Sequence, residues 1–492
     1  RPSIFPAFAR RARPGFNRRL TMGECMKRMW KGAAAALALS FVCSAPAAAY
    51  EAFSGPLGLL YSDKSKAFDG YTLVAPLQTN VTYLMDMDGN IINEWTCDTT
   101  PFYSELLPNG NLIRHGRLPD AWPAYGGVSG VLQEYDWSGN KVWEYKMFTP
   151  GVEVSHHTFE VMPNGNYMLL GWEHKSYDEM VKAGRDVNLP GHSVFKDGMK
   201  INGRMVEGIW PDFVREINRQ GETVWEWHVW DHLGKGPDKI DINVFLTPKR
   251  SPVQAGPDWT HFNGVSYNPN TDQVALTSRN LGEVYIIDKK TGNIVSRWGN
   301  PANYGEGKFP SGYYDDGDTE LFGPHAPDWT SDTTVSIFDN GDARLSANYS
   351  RAVEVDVTTG KIVWQWRPAD VGTTPSNFYT ATQGGCQKLP NGNWLITSTN
   401  TGGHTIEVTP DKEIVWEFIN PLGRGNKVYA TSGKHGQTGQ FMVHKSLRYA
   451  KDDPRFAGKD MSVKRKLMPE GTPNWVELLQ FQSAPSELPK KR

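Results

Sequence analysis

Cysteine is scarce in this chain, and the patterns built on it are missing. The 492 residues include four cysteines, of which only Cys97 and Cys386 lie beyond the N-terminal segment. So low a content excludes a small scaffold held together by many disulfides. No Cys-x-x-Cys and no Cys-x-x-Cys-His occurs, which excludes a redox dithiol motif and a c-type haem attachment site. The sequence leaves open whether Cys97 and Cys386 pair with each other.

Other signatures are missing as well. There is no Walker A loop, no Gly-x-Gly-x-x-Gly and no His-Glu-x-x-His, so we expect no nucleotide cradle, no cofactor and no bound metal. The net charge of −2 gives no basic face for nucleic acid. The apolar run AAAALALSFV (33–42) has ten residues, which is too short to span a membrane.

Tryptophan and glycine, by contrast, are plentiful. The chain contains 18 Trp and 49 Gly. Aromatic residues favour strands, and glycine supplies the turns between them. The composition therefore favours an all-β protein over a helical one.

The N-terminal region has the pattern of a signal peptide over residues 26–49. MKRMWKG is basic, the apolar run follows it, and APAAA is a small-residue cleavage site that we expect to be cut after Ala49. Residues 1–25 are an upstream segment of doubtful status. We expect export to the periplasm, a lead-in over 50–69, a folded domain over 70–456 and a C-terminal tail over 457–492.

One phrase recurs along the domain: an apolar or β-branched pair, an acid or its equivalent, a turn and an aromatic ending. Alternation on both sides of the turn predicts an antiparallel hairpin in each copy. The six copies are YLMDMDGNIINEW (83–95), LQEYDWSGNKVWEY (132–145), VREINRQGETVWEW (214–227), VYIIDKKTGNIVSRW (284–298), AVEVDVTTGKIVWQW (352–366) and TIEVTPDKEIVWEF (405–418).

A second hairpin precedes most copies. Pro-Asn-Gly-Asn marks its turn at 108–111, 163–166 and 390–393, and looser versions occur at 266–278 and 328–341. Two hairpins per unit in six units predict a six-bladed β-propeller with a central channel. The first unit lacks such a hairpin, so we expect a strand from QFMVHKSLRYA (440–450) to complete it and close the ring.

Three histidines hold the same place in three blades. His157, His261 and His325 each lie at the start of the first strand of a blade, and first strands line the channel of a propeller. We therefore expect a shared site at one mouth of the channel, with His157 as a pocket residue. The remaining histidines, including His115 and His444, lack this register and are interpreted as structural or surface residues.

Several segments resemble the bacterial PAPS-independent aryl sulfate sulfotransferases, which are exported six-bladed propellers. The resemblance covers roughly residues 70 to 456. It is carried by DWTHFNGVSYNP (258–269), DQVALTSRN (272–280), GPHAPDW (323–329), VSIFDNGDAR (335–344), YSRAVEVDVTTGKIVWQW (349–366), TNTGGHTIEV (399–408) and LRYAKDDPRF (447–456).

The resemblance implies transfer of a sulfuryl group from an aryl sulfate to a phenol through a sulfohistidine, with ping-pong kinetics. By motif, it implies His404 as the nucleophile, with His261, His325 and Arg344 as sulfate-binding catalytic partners. Imidazole can attack sulfur, and arginine presents a planar fork to an oxyanion.

Asn263 lies in the same His-x-Asn motif as His261 and is interpreted as a substrate-binding residue. Arg279 is open between an anion-binding role and a structural ion pair. The expected partners are a small-molecule donor and acceptor, and self-association into a homo-oligomer stays open.

Two other function classes remain. In the first, His157, His261 and His325 bind a transition metal, since three imidazoles facing one channel could do so. In the second, the propeller is not catalytic and binds a ligand or partner. Arg344 favours the sulfotransferase over the metal enzyme, because a cation among metal ligands is unfavourable while an oxyanion site needs one.

Overall fold

The computed structural model describes residues 56–189, 194–244, 256–373, 378–431 and 438–477. The predicted signal peptide and the upstream segment lie outside these ranges, as does the end of the predicted tail. The segment 174–211, which the repeat analysis did not anticipate, includes helix α1 (Tyr177–Lys182). Residues 475–477 are helical as well. Short 3-10 turns cover Val229–His232, Pro301–Tyr304, Pro368–Val371, Thr438–Gln440 and Pro454–Phe456.

The remaining regular structure is β-strand. In chain order the strands are β1 (Gly58–Ser62), β2 (Gly70–Val74), β3 (Val81–Met85), β4 (Asn90–Thr96), β5 (Thr100–Leu106), β6 (Leu112–Arg117), β7 (Gly130–Tyr135), β8 (Lys141–Lys146), β9 (Phe148–Thr149), β10 (Glu153–Val161), β11 (Tyr167–Glu173), β12 (Met199–Ile201), β13 (Arg204–Val206), β14 (Asp212–Ile217), β15 (Thr223–His228), β16 (Phe262–Asn268), β17 (Gln273–Ser278), β18 (Glu283–Asp288), β19 (Ile294–Trp298), β20 (His325–Trp329), β21 (Thr334–Asp339), β22 (Arg351–Asp356), β23 (Lys361–Trp366), β24 (Gly385–Lys388), β25 (Trp394–Ser398), β26 (His404–Val408), β27 (Ile414–Ile419), β28 (Leu422–Gly423), β29 (Lys427–Val428), β30 (Leu447–Ala450) and β31 (Arg465–Lys466).

These strands form six antiparallel blades, as the repeats predict. From the inner strand outward, blade 1 is β30-β2-β3-β4-β31, blade 2 is β5-β6-β7-β8, blade 3 is β10-β11-β14-β15 with the two-residue β9 on the free edge of β10, blade 4 is β16-β17-β18-β19, blade 5 is β20-β21-β22-β23 and blade 6 is β24-β25-β26-β27-β1. The pairs β12-β13 and β28-β29 form separate two-stranded sheets. The prediction of a six-bladed propeller is confirmed. The predicted closure is confirmed too, because β30 from the end of the chain pairs with β2 near its start.

The recurring acid of the outer hairpins acts through local hydrogen bonds. In blade 1, Asp86 Oδ1 accepts the backbone N–H groups of Asp88 (2.9 Å) and Asn90 (2.8 Å). Gly89 in the same turn has a φ of 76°, a conformation that L side chains rarely adopt. The turn therefore forms from its own residues, which is why its sequence repeats.

Tryptophans at the ends of the outer hairpins connect neighbouring blades. The indole N–H of Trp95 in blade 1 donates to Asp136 O in the turn of blade 2 (2.8 Å). The same contact joins blade 5 to blade 6 through Trp364 and Pro410 O (3.0 Å). Trp416 in blade 6 donates to Met87 O in blade 1 (3.2 Å), across the closure of the ring.

Cys97 and Cys386 are both free and buried. Cys97 packs in the cluster of blades 1 to 3, and Cys386 packs with blades 5 and 6. The sequence left open whether Cys97 and Cys386 form a disulfide, and in this structure they are two separate thiols. No helix among the described residues is long and apolar enough to cross a membrane.

Candidate active site

The inner strands of blades 3, 4 and 5 share a backbone irregularity at one level of the channel. The register of β10, β16 and β20 shifts near their N-terminal ends, as at a β-bulge. The residues at or beside these shifts have positive φ: 54° at His157, 47° at His261 and 50° at Ala326, which follows His325. Such conformations are strained for residues with a Cβ, and they occur preferentially at functional sites.

The irregularities bring the three predicted histidines together. The ring centroids of His157 and His261 are 4.8 Å apart, and those of His157 and His325 are 6.3 Å apart. All three line a cavity of about 310 Å³, together with Asp258, Arg279, the 124–127 loop, Ile201, Asn202, Thr382 and Gln383. This histidine cavity is the predicted shared site at the channel.

His261 belongs to a carboxylate–imidazole pair. Its Nδ1 lies 2.7 Å from Asp258 Oδ2, and both side chains are buried. A carboxylate at Nδ1 keeps the proton there and stabilises the charged ring when Nε2 takes up a second proton. His261 is thus suited to exchanging protons at Nε2.

His325 has neutral partners instead. Its Nδ1 lies 2.7 Å from Asn340 Oδ1 and 3.0 Å from Gly323 O, so this nitrogen carries the proton. Its Nε2 accepts the backbone N–H of Gln383 at 3.0 Å. Burial holds the pKa of His325 well below the usual 6.5, and the neighbouring histidines and Arg279 add to the effect. His325 is therefore a neutral imidazole with its lone pair fixed on Nε2.

His157 is held by the 124–127 loop and by its neighbour His156. Its backbone N–H donates to Gly127 O (2.8 Å), and its Nδ1 lies 2.9 Å from His156 Nδ1. A Cβ at position 127 would come within 2.1 Å of the His157 ring, so only glycine fits there. Burial and the surrounding histidines lower the pKa of His157 well below 6.5.

The structure corrects the expectation that His404 joins this cluster. His404 begins β26, the third strand of blade 6 from the channel, and it does not line the histidine cavity. Its Nε2 lies 2.7 Å from Glu417 Oε1 on the neighbouring strand β27, and its ring packs against Phe378. The reason is topological, because β24 and β25 lie between β26 and the inner edge of blade 6.

Arg344 and Asn263 are also placed differently from the expectation. Arg344 forms an ion pair with Asp339, which Arg351 also contacts at 2.8 Å, and it does not line the cavity. Asn263 donates to Pro324 O (2.7 Å) and accepts from Thr277 (2.7 Å). Its amide therefore positions the segment before His325 and does not face the cavity.

Arg279, which the sequence left open, is the cation of the site. It lines the cavity, is 4% exposed and donates to Asp342 Oδ2 at 2.8 Å. Its backbone N–H also donates to His261 O (3.1 Å). Of the described residues that line the cavity, Arg279 alone carries a positive charge.

His444 is a further histidine that the sequence interpretation missed. It lies just before β30, the inner strand of blade 1, and its ring centroid is 6.3 Å from that of His325. The signal was in the sequence, because the closing strand was expected at 440–450 and places His444 in the register of the other three. Phe102 from blade 2 completes the layer, 4.8 Å from His444 and 5.0 Å from His157.

This layer of rings separates two cavities along the channel. The residues that directly follow Phe102, His157 and His444, namely Tyr103, Thr158 and Lys445, line a second cavity of about 200 Å³. Glu105, Glu160 and Asp328 line it too, and burial raises the pKa of both glutamates. The histidine cavity therefore ends at the layer of rings.

Fold and site together define a six-bladed propeller with a cavity lined by three imidazoles and one arginine. A family model for arylsulfotransferases (ASST) matches residues 194–447, just over half of the chain. The chain belongs to this family.

A curated relative is the arylsulfate sulfotransferase AssT of Lelliottia amnigena, which is 23% identical over 58% of this chain and 52% of that protein. The chain thus spans about half the length of that relative. A protein of unknown function from Bacteroides caccae is 11% identical over 78% of this chain and 99% of its own, with a TM-score of 0.43. Apo AztD from Citrobacter koseri is 12% identical over 78% and 99%, with a TM-score of 0.33.

Proposed function

We propose that this protein transfers a sulfuryl group from an aryl sulfate ester to a phenol through a sulfohistidine at His325. The observation that carries the proposal is the convergence of Arg279, the His261–Asp258 pair and His325 on one cavity. Membership of the arylsulfotransferase family supports the reaction class.

His325 is the better nucleophile and His261 the better acid–base group, because their partners differ. Neutral oxygens at His325 Nδ1 fix the tautomer without favouring a charged ring, and nearby Arg279 disfavours protonation. The Asp258 carboxylate favours a ring that gains and loses a proton. The Gln383 N–H donates a hydrogen bond to Nε2 of His325 in this structure. When Nε2 attacks sulfur, this hydrogen bond breaks and the same N–H can donate to a sulfuryl oxygen instead.

The first step forms the bond between His325 Nε2 and sulfur and breaks the bond between sulfur and the ester oxygen. The phenolate leaves with the electron pair and takes the Nε2 proton of His261, which enters this step protonated on both ring nitrogens beside Asp258, while Arg279 holds a sulfuryl oxygen. In the second step an acceptor phenol gives its proton to His261, attacks sulfur and releases His325. Charge on the equatorial oxygens spreads as in phosphoryl transfer, so positioned donors lower the barrier.

The cavity supports an aryl sulfate donor over a nucleotide sulfate. A nucleotide donor brings several phosphate charges, whereas the described lining of the cavity offers a single cation, Arg279. An aryl sulfate carries one negative charge, so it needs fewer cationic partners than a nucleotide donor does.

The decisive experiment is incubation of the purified protein with 4-nitrophenyl sulfate alone, followed by peptide mass analysis. We expect one sulfuryl group on a peptide containing His325. When donor and acceptor concentrations are varied together, double-reciprocal plots of the initial rate should give the parallel lines of a ping-pong mechanism. His325→Ala should lose both the modification and the transfer, while His404→Ala, the matched control, should keep both. Modification at His404 would restore the assignment that the sequence resemblance implied.

A metal enzyme is the second candidate, and the charge of the cavity favours it less. Arg279 lines the cavity with the three histidines, and its positive charge would oppose a metal cation. Within the described ranges, no group of three or more His, Cys, Asp or Glu side chains is arranged to hold a metal ion. If the protein cleaves no aryl sulfate at all, a non-catalytic binding propeller is the remaining class.

We also propose that the protein works in the periplasm, on the basis of the signal-peptide pattern of residues 26–49. Expression of the full reading frame, cell fractionation and N-terminal sequencing of the product test this. A mature N-terminus at Tyr50 in the periplasmic fraction is expected, and an uncleaved protein in the cytoplasm would contradict it.

A further inference from the structure

Three buried polar atoms of the histidine cavity have no hydrogen-bond partner among the described residues. The Tyr125 hydroxyl and Oδ1 of Asp258 are two of them, and Oε1 of Gln383 is the third. Tyr125 is 5% exposed and Asp258 is 3% exposed. Leaving a buried hydroxyl or carboxylate oxygen unpaired costs about 1–3 kcal/mol, so a ligand that pairs with both would recover that loss.

Both residues line the cavity; Asp258 contacts His261, and the Trp172 ring, which packs against Tyr125, has its centroid 5.8 Å from that of His261. Oδ2 of Asp258 is the oxygen that contacts His261, which leaves Oδ1 as a free acceptor next to the same imidazole. Burial, and then the charge of Asp258, raise the pKa of Tyr125 well above 10. The Tyr125 hydroxyl therefore keeps its proton and is available as a donor.

A ligand group that forms hydrogen bonds with both the Tyr125 hydroxyl and Asp258 Oδ1 must accept one hydrogen bond and donate another. A phenolic hydroxyl does both, whereas the bridging oxygen of a sulfate ester only accepts. The adjoining surfaces suit an aromatic ring, because Ile201 lines the cavity and the Tyr125 ring packs edge-on against Trp172 with centroids 5.3 Å apart.

We infer that Tyr125 and Asp258 form a subsite for a phenolic hydroxyl, with Tyr125 donating to its oxygen and Asp258 Oδ1 accepting its proton. This inference rests on the proposed function and specifies it: the subsite holds the acceptor phenol next to His261, and when the phenol attacks sulfur its proton leaves the hydrogen bond to Asp258 Oδ1 and passes to Nε2 of His261. Tyr125 thereby touches the reacting oxygen, and its hydroxyl also stabilises the phenolate that develops in the first step.

The test removes only the hydroxyl, with Tyr125→Phe. Binding of 4-nitrophenol to the wild type and the variant is measured by difference absorbance, and binding of nitrobenzene by quenching of tryptophan fluorescence. We expect 4-nitrophenol to bind about three- to tenfold more weakly to Tyr125→Phe, the usual effect of one neutral hydrogen bond. Nitrobenzene, which has the ring without the hydroxyl, should bind both proteins equally.

Tyr83→Phe is the matched control, since it also removes a buried tyrosine hydroxyl but breaks a hydrogen bond to Asn420 (2.8 Å) between blades 1 and 6. Tyr83→Phe should lower the Tm and leave binding unchanged. Tyr125→Phe should leave the Tm unchanged or raise it, because an unpaired hydroxyl contributes nothing to the folded state.

The outcomes separate this inference from the proposed function. If Tyr125→Phe binds 4-nitrophenol as well as the wild type, if it loses affinity for both ligands alike, or if the wild type binds no phenol, the subsite is overturned. If the wild type binds phenol through Tyr125 but cleaves no aryl sulfate, the subsite stands and the proposed transfer reaction fails. If the enzyme is active, Tyr125→Phe should lower the rate of sulfuryl transfer relative to the wild type, and the loss should be larger for aryl sulfates with poorer phenol leaving groups.

Discussion

His444 shows how much a single buried side chain can contribute to the pH dependence of this molecule. Neither of its ring nitrogens has a hydrogen-bond partner among the described residues, and it is 1% exposed between the aromatic rings of Phe102 and Tyr103. Burial, assisted by the charge of Lys445, lowers the pKa of His444 to about 3. The folded protein therefore holds this imidazole neutral at every pH near neutrality.

The first prediction concerns His444→Phe. Below pH 6.5 the unfolded chain protonates this histidine and the folded chain does not, so the wild type loses stability as the pH falls. Between pH 7 and pH 5 we expect this contribution to be about 2 kcal/mol. The wild type should lose about that much more than His444→Phe in free energy of unfolding, measured with urea at both pH values.

His228 provides a control of opposite sign. A hydrogen bond to Glu173 raises the pKa of His228, so its contribution is present at low pH and is lost as the pH rises. His228→Phe should therefore lose more stability on acidification than the wild type. Equal pH slopes for the wild type and His444→Phe would show that His444 is accessible to protons in the folded state.

The β12–β13 hairpin shows what an inserted element adds to a propeller blade. It lies between β11 and β14, which pair directly with each other and so do not need it. Ile201 and Asn202 at its tip line the histidine cavity, and Asn202 Nδ2 donates to Ala124 O (3.1 Å). The hairpin therefore covers the site without holding the blade together.

The second prediction is replacement of residues 199–206 by a short Gly-Ser turn. The Tm should fall, because Ile201 and Val206 leave a buried cluster that includes Trp172, but the protein should still fold because the strands of blade 3 remain paired. The cavity loses the apolar wall supplied by Ile201. Loss of one apolar contact weakens the free energy of substrate binding by about 1.5 kcal/mol, so KM for an aryl substrate should rise about tenfold.

Two measurements accompany the hairpin replacement. Circular dichroism and thermal unfolding check the fold, and steady-state kinetics with a chromogenic aryl sulfate check the site. Met205→Ala is the control, because Met205 belongs to the same hairpin but is 59% exposed. An unchanged KM in the replaced protein would exclude the hairpin from the substrate site.

At the scale of the whole molecule, the ring depends on the contact between its first and last blades. Arg448 on β30 forms a buried ion pair with Glu407 on β26 and donates from Nε to Thr72 on β2 (2.9 Å). Glu407 also accepts the Phe68 N–H (2.6 Å) and the Asn393 amide (2.6 Å). This network joins blade 6 to both partners of the closing strand pair.

The third prediction is Arg448→Met. The change leaves the Glu407 carboxylate buried without its cation, which typically costs about 3–5 kcal/mol. The urea midpoint of unfolding should fall accordingly, and adding Glu407→Gln should recover part of the loss. Arg465→Met is the matched control, because its pair with Glu94 is exposed and worth about 0–1 kcal/mol. Equal losses for the two single variants would mean that closure does not depend on this pair.

The sequence by itself determined the number of blades and the level of the site. The turns of the outer hairpins form from their own residues, as at Asp86, so each repeat is visible as a local pattern. Strand alternation and repeat length then placed His157, His261 and His325 at equivalent positions. Local chemistry with a fixed period can be read without knowledge of distant contacts.

Only the tertiary structure decided which of the remaining candidates reach the cavity. Arg279 and Arg344 are both buried arginines, but the first lines the cavity while the second is held by Asp339 outside it. His444 lies in the ring layer and His404 does not, because the inner strand of blade 1 comes from the far end of the chain. The direction in which a side chain points in a closed propeller depends on strand pairings between distant segments, and a local sequence pattern does not reveal those pairings.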